Sequence, residues 1–272
     1  MDSIPFSYTA LALAALAALL PVTVLLLRRP TPQPGGQFWL LFLVAVVGPT
    51  SFTFLLAQGQ WHGGFGFNLW VTIAASLTIF LPIALWVDKA WLLTPLLFAY
   101  LLLLGLLALL LGFAPVQGDF QAVEGMTTWL GIHIAVSVVT YALATLAAVA
   151  GLAVMLQERA LKNRRPTRFS RSLPSFADGE RLQIVFLSSA ELVLGAGLVS
   201  GMALSFLETG RLLVLDHKIL LSFLAFLAIA LLLVLQTRTG MRGQRAGRLL
   251  LAAYLLLTLA YPGVKFVSEV LM

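Results

Sequence analysis

Residues 92–113 read LLTPLLFAYLLLLGLLALLLGF, a run without a single charged side chain. A transmembrane helix needs about 20 consecutive apolar residues to cross the hydrocarbon core of a bilayer. The backbone N–H and C=O groups in lipid must be paired within the segment, which favours a helix over an open sheet. This stretch therefore predicts a membrane-spanning α-helix.

The rest of the chain has the same character. Of its 272 residues, 60% are hydrophobic and 10% are charged, and the mean hydropathy is +0.99. A soluble domain carries roughly 25% charged residues, so this composition cannot cover a water-facing surface. A transmembrane β-barrel would show alternating segments of about ten residues rather than long continuous apolar runs. Cysteine is absent, which excludes disulfides and thiolate metal sites.

The apolar runs predict an all-α polytopic integral membrane helical bundle of about eight transmembrane helices. One transmembrane domain is expected over 1–272, with four spans in 1–127 and four in 128–272. The longest connection, 157–181, holds two prolines and a basic run. The predicted spans lie at about residues 7–27, 37–57, 68–87, 92–113, 128–156, 182–207, 218–236 and 249–270.

The placement of Lys and Arg predicts the orientation, because cytoplasmic loops of membrane proteins carry an excess of these residues. With eight spans, 14 of the 17 basic residues fall in alternate connections on one side of the membrane. Both termini are therefore expected outside, with the basic connections in the cytoplasm. This bias explains the net charge of +6 without a nucleic-acid partner. The connection 157–181 could also touch anionic lipid headgroups.

The chain contains three histidines, His62, His133 and His217. In the predicted topology all three lie near the outer face. Neutral imidazole is well suited to hold haem iron, and two imidazoles from different helices could supply both axial positions. Trp129 lies four residues before His133 and therefore on the same helical face. Zinc is a second possibility for these histidines, although no cysteine or carboxylate cluster supports it.

Two tryptophans and one glutamate can be interpreted without reference to a haem site. Tryptophans near span ends, such as Trp70 and Trp129, are often interfacial anchors. Glu191 lies inside the sixth predicted span, and an acid at such depth is a functional candidate by default. Glu191 could take part in proton-coupled transport or serve as a neutral packing group.

The fifth predicted span resembles a helix of a known family. Residues 129–142 read WLGIHIAVSVVTYA, similar to the His-x-x-x-Ser-x-x-x-Tyr-Ala helix of the cytochrome c assembly proteins, the group of CcsA and the HemX-like proteins. Residues 194–201 read LGAGLVSG, and 241–246 and 260–265 read MRGQRA and AYPGVK. These stretches resemble the family's later motifs, so the likeness covers the chain from Trp129 onward.

The segment before the seventh predicted span indicates the branch of the family. Residues 213–218 read LVLDHK, where full cytochrome c synthases carry a tryptophan-rich outward segment. The chain therefore looks closest to the smaller YpjD-type or HemX-like branch. The resemblance implies haem as cofactor, with His133 and His217 as axial iron ligands near the outer face and Trp129 beside them.

The resemblance favours a haem-binding, haem-handling protein of the bacterial inner membrane, linked to cytochrome c maturation or tetrapyrrole supply. Its partners would be the lipid bilayer, haem and proteins of those pathways. A proton-coupled small-solute transporter and a non-catalytic membrane scaffold or regulator stay open as alternatives. An independent enzyme is not expected, because no nucleophile–base set, phosphate-binding loop or metalloprotease signature occurs in the sequence.

Overall fold

The structure is a computed structural model that describes residues 4–28, 34–57, 64–111, 128–164, 167–210 and 217–263. Every regular element within these ranges is helical, which confirms the predicted all-α class. A single helical turn, α6, spans Arg168–Arg171. The longer helices are α1 (Ile4–Arg28), α2 (Gly36–Ala57), α3 (Phe65–Trp86), α4 (Thr94–Leu111), α5 (Thr128–Lys162), α7 (Phe176–Thr209), α8 (His217–Thr239) and α9 (Gly243–Thr258).

Seven helices of the described ranges, α1 to α5, α7 and α8, are long and apolar enough to cross a membrane. They correspond to the first seven predicted spans and make the chain a multi-pass membrane protein. The eighth predicted span, 249–270, overlaps α9, which has 16 residues and continues into a π-helical turn at Leu259–Gly263. Residues 264–270 of that span lie outside the described part of the chain.

The helices form two compact units, which we describe separately. The first unit contains α1 to α4 and α6, and aromatic rings fill its interior. The Phe42 ring lies 6.0 Å from that of Phe80 and 5.4 Å from that of Phe98. Trp70, predicted as an interfacial anchor, is fully buried and packs edge-on against Phe52. That prediction was wrong, since hydropathy gives the depth of a residue along a span but not the direction its side chain takes.

The second unit contains α5, α7, α8 and α9, with α5 at its centre. All α5 residues from Thr140 to Gly151 are buried. The two neighbours of α5 both run antiparallel to it. On α7, Gly179 faces Val154 while Gly201 faces His133. On α9, early residues likewise lie against the C-terminal part of α5 and later residues against positions closer to its start.

The connection predicted for 157–181 is shorter than expected. The helix α5 continues through Lys162, and α7 already begins at Phe176 with Ser175 as its N-cap. Residues 157–162 read QERALK, all of them good helix formers that extend α5 without being apolar. Hydropathy detects only the part of a helix that suits lipid, so it ended the predicted span early.

Candidate functional site

His133 lies in the second turn of α5, where the helix packs against α7. Its imidazole ring is partly buried and contacts the α7 backbone at Gly201. A Cβ atom added at Gly201 would lie 3.0 Å from Cε1 of the His133 ring, closer than ordinary van der Waals contact. Glycine at position 201 therefore leaves the space that the ring occupies.

The glycines of α7 share this packing role. A Cβ atom at Gly197, one turn before Gly201, would lie 3.4 Å from Cγ1 of Val136. Gly195 faces the other way, and a Cβ atom there would lie 3.3 Å from the Phe226 ring of α8. Small residues allow membrane helices to approach closely. The packing role of these glycines thus has a second consequence, because the close approach of α7 to α5 also places the imidazole of His133.

A hydrogen bond fixes the orientation of this imidazole. Nδ1 of His133 lies 3.0 Å from Oγ of Ser200, and the Ser200 hydroxyl donates to the Gly197 carbonyl at 2.9 Å. A serine hydroxyl has one proton, so with that proton on Gly197 its oxygen accepts from Nδ1–H. When the imidazole is neutral, this hydrogen-bond network therefore assigns the tautomer with the proton on Nδ1. In this tautomer Nε2 carries a lone pair that can bind a metal.

Ser200 was missing from the predicted site, although the Ser200–Gly201 pair was part of the family-like motif. The hydrogen bond joins residues 67 positions apart in the chain. Only the antiparallel register of α5 and α7 brings them together. The signal available in the sequence is the position of Ser200 three residues after Gly197, which allows its hydroxyl to donate to the Gly197 carbonyl.

Below His133, α5 is joined to α9 by a reciprocal pair of hydrogen bonds. The Tyr141 hydroxyl lies 3.1 Å from Oγ1 of Thr258, and the Tyr254 hydroxyl lies 2.9 Å from Oγ1 of Thr145. Each threonine donates to the carbonyl of the tyrosine four residues earlier on its own helix. The threonines therefore accept from the opposite tyrosines, whose rings stack with centroids 5.6 Å apart. These contacts hold the central helix in a defined register.

The structure places the other predicted site residues only in part. Trp129, one turn before His133, is 54% exposed and so presents an apolar surface beside the partly buried imidazole. His217 begins α8, but its side chain lies outside the described part of the structure. His62 also lies outside it. The pairing of His133 with His217 on one iron, with Trp129 beside them, therefore stays a prediction.

Glu191 lies on α7 and is only 9% exposed. Neither of its carboxylate oxygens has a hydrogen-bond partner among the described residues. Within the same residues, no group of three or more His, Asp or Glu side chains could hold a metal ion. Burial of Glu191 fits either a functional or a packing role, so the transporter alternative also stays a prediction.

The described helices thus hold an oriented imidazole between two candidate membrane spans, α5 and α7. The family model described as Cytochrome C assembly protein matches residues 61–272. The chain therefore belongs to the cytochrome c assembly protein family, as the motifs around His133 predicted. Family membership gives it a role in cytochrome c maturation.

One similar protein covers nearly the whole chain. It is the uncharacterized 28.8 kDa protein in nifR3-like 5'region of Azospirillum brasilense, 47% identical over 264 residues. The alignment spans 96% of this chain and 97% of that protein. No solved structure matches the chain.

Proposed function

We propose that this protein binds haem at the outer face of a bacterial inner membrane and handles it for cytochrome c maturation or tetrapyrrole supply. The observation that carries the proposal is the orientation of the His133 imidazole. Its Nδ1 is occupied by Ser200, which leaves Nε2 as the ligand atom. Metal-bound histidines typically donate their other ring N–H to a neighbouring acceptor in this way.

The residues around His133 fit a large apolar ligand. Trp129 and Ile132 are both substantially exposed next to the imidazole. Imidazole with a free nitrogen is a common axial donor to haem iron. Haem bound here would supply an iron centre that imidazole nitrogens can hold. Nε2 of His133 would hold that iron, and we propose His217 as the second protein ligand.

An absorption spectrum of the detergent-solubilised protein, titrated with haemin, tests the proposal. We expect a Soret band that is lost or strongly weakened in His133→Ala and in His217→Ala. The matched control is His62→Ala, which removes an imidazole outside the proposed pair and should leave the band unchanged.

A ligand role is separated from a structural one by rescue. In His133→Gly, free imidazole can enter the space of the missing side chain and should restore the Soret band. Absence of any haemin uptake by the wild-type protein would refute the proposal. So would a His133→Ala variant that binds haemin as tightly as the wild type.

A further inference from the structure

An open polar cavity of about 670 Å³ lies where the C-terminal end of α5 meets the turn between α8 and α9. Two glycines with positive φ make this turn possible, Gly240 and Gly243, both with φ of 65°. Gly243 lies against the Glu158 carboxylate and leaves no room for a side chain. The Gln244 N–H donates to the same carboxylate. Glu158 thus fixes the start of α9 relative to α5.

The cavity wall is strongly cationic. It contains four basic side chains, from Lys162, Arg242, Arg245 and Arg248, against the single carboxylate of Glu158. Glu158 is already engaged by Lys162 at 2.5 Å, and Arg242 lies 3.6 Å from Glu180 of α7. Arg245 forms no salt bridge with any residue that the structure describes, and Arg248 interacts with Glu158 only beyond salt-bridge distance.

The two arginines occupy one face of α9. They are three residues apart, so their side chains are neighbours on the helix surface, and both are exposed. The tendency of basic residues to lie on the cytoplasmic side explains why this connection is basic. That tendency does not require four cations to converge on one cavity. Their convergence points to an anionic ligand.

The exposed face of α9 indicates the source of the anion. Directly beyond the arginines, this face continues with Leu249, Leu255 and Leu259, which are 44%, 57% and 46% exposed. A free phosphate ion would make no favourable contact with this apolar surface. A phospholipid has both parts, since its phosphate would meet the cations and an acyl chain would lie along the leucines.

We propose that the cavity between α5 and the start of α9 binds the headgroup of an anionic phospholipid, with Arg245 and Arg248 as phosphate ligands. Basic pockets between transmembrane helices are established sites for such headgroups on the cytoplasmic side. Arginine is suited to the role because its planar fork can bind two phosphate oxygens at once. This site is separate from the proposed haem site and does not depend on it.

Native mass spectrometry of the full-length protein, titrated with phosphatidylglycerol or phosphatidylcholine of the same acyl chains, tests the proposal. We expect tighter binding of phosphatidylglycerol. Each basic residue near an anionic lipid surface contributes a factor of about five to binding. The double variant Arg245→Gln/Arg248→Gln should therefore bind phosphatidylglycerol about 25-fold more weakly.

The matched control is Arg238→Gln, which removes an exposed charge at the end of α8 that does not line the cavity. It should bind phosphatidylglycerol as the wild type does. The single variants Arg245→Gln and Arg248→Gln should each bind phosphatidylglycerol about fivefold more weakly, and they carry the test if the double variant does not fold.

Three results would overturn the proposal. The first is equal binding of the two lipids by the wild-type protein. The second is an equal loss of binding in Arg238→Gln and in the double glutamine variant. The third is displacement of phosphatidylglycerol by inorganic phosphate at equal concentration, which would make the cavity a site for the free ion.

Discussion

Ser200 determines which nitrogen of the His133 imidazole carries the proton. The serine hydroxyl donates its own proton to the Gly197 carbonyl, and its oxygen is then an acceptor for Nδ1–H of His133. An imidazole without such a partner can rotate and exchange tautomers, so Nε2 would face the ligand for only part of the time. A single hydroxyl would therefore prepare His133 for the proposed binding of haem iron.

Substitution of Ser200 by alanine should weaken haem binding without abolishing it. Loss of a partner that orients a metal-bound histidine typically costs 10- to 100-fold in affinity, so we expect a decrease of about that size. Haemin titration followed at the Soret band measures it. Ser51→Ala is the control, because Ser51 also donates to a helical carbonyl but lies in α2. Unchanged affinity in Ser200→Ala would contradict the orienting role.

The sequence singles out His133 as a candidate ligand but not the residues that position its side chain. A histidine within an apolar span stands out because a polar side chain there is rare, whereas Ser200 and Gly201 look like ordinary small residues of a packed helix. Their role depends on which α7 residue lies opposite His133, and hydropathy carries no information about the register between helices. For the same reason the sequence did not predict the reciprocal bonds of Tyr141 and Tyr254.

The packing of helix α5 against helix α7 determines how closely the His133 imidazole can approach the α7 backbone. Gly201→Ala would place a methyl group 3.0 Å from the ring, and the ring would have to move. We expect haemin affinity to fall at least as far as in Ser200→Ala, because both Nδ1 and Nε2 would shift. The unfolding temperature should fall little, because the imidazole ring can move aside. Overpacking costs about 1–3 kcal/mol where no neighbour can yield in this way.

Gly197→Ala is the matched control for this prediction. Its methyl group would lie 3.4 Å from Val136, which is close to ordinary contact, and it would not touch the ring. Haemin affinity should therefore change little in Gly197→Ala. Equal losses of affinity in the two variants would show that α7 responds to any added volume, and that Gly201 has no particular role in placing His133.

Helix lengths show where sequence-based prediction of the fold succeeds and where it fails. The apolar runs located all seven described helices that are long and apolar enough to cross a membrane, because lipid requires about 20 apolar residues for each span. They underestimated α5, whose 35 residues extend to about 52 Å, well beyond the apolar core. The excess is polar helix, and it forms part of the cationic cavity with α9. Hydropathy therefore could not predict the features that lie outside the lipid.

For the whole molecule, the distribution of charge predicts how the chain lies in the membrane. The predicted orientation, with both termini outside, would put 14 of the 17 basic residues in the cytoplasm and the proposed haem ligands His133 and His217 at the outer compartment. Alkaline phosphatase fused after residue 165 should be inactive, because the enzyme requires the oxidising outer compartment. The same fusion after residue 215 should be active.

A green fluorescent protein fusion, which fluoresces when folded in the cytoplasm, should give the opposite result at each position and controls for expression. Reversed activities would put His217 on the cytoplasmic side and separate it from the outer compartment that the proposed haem site requires.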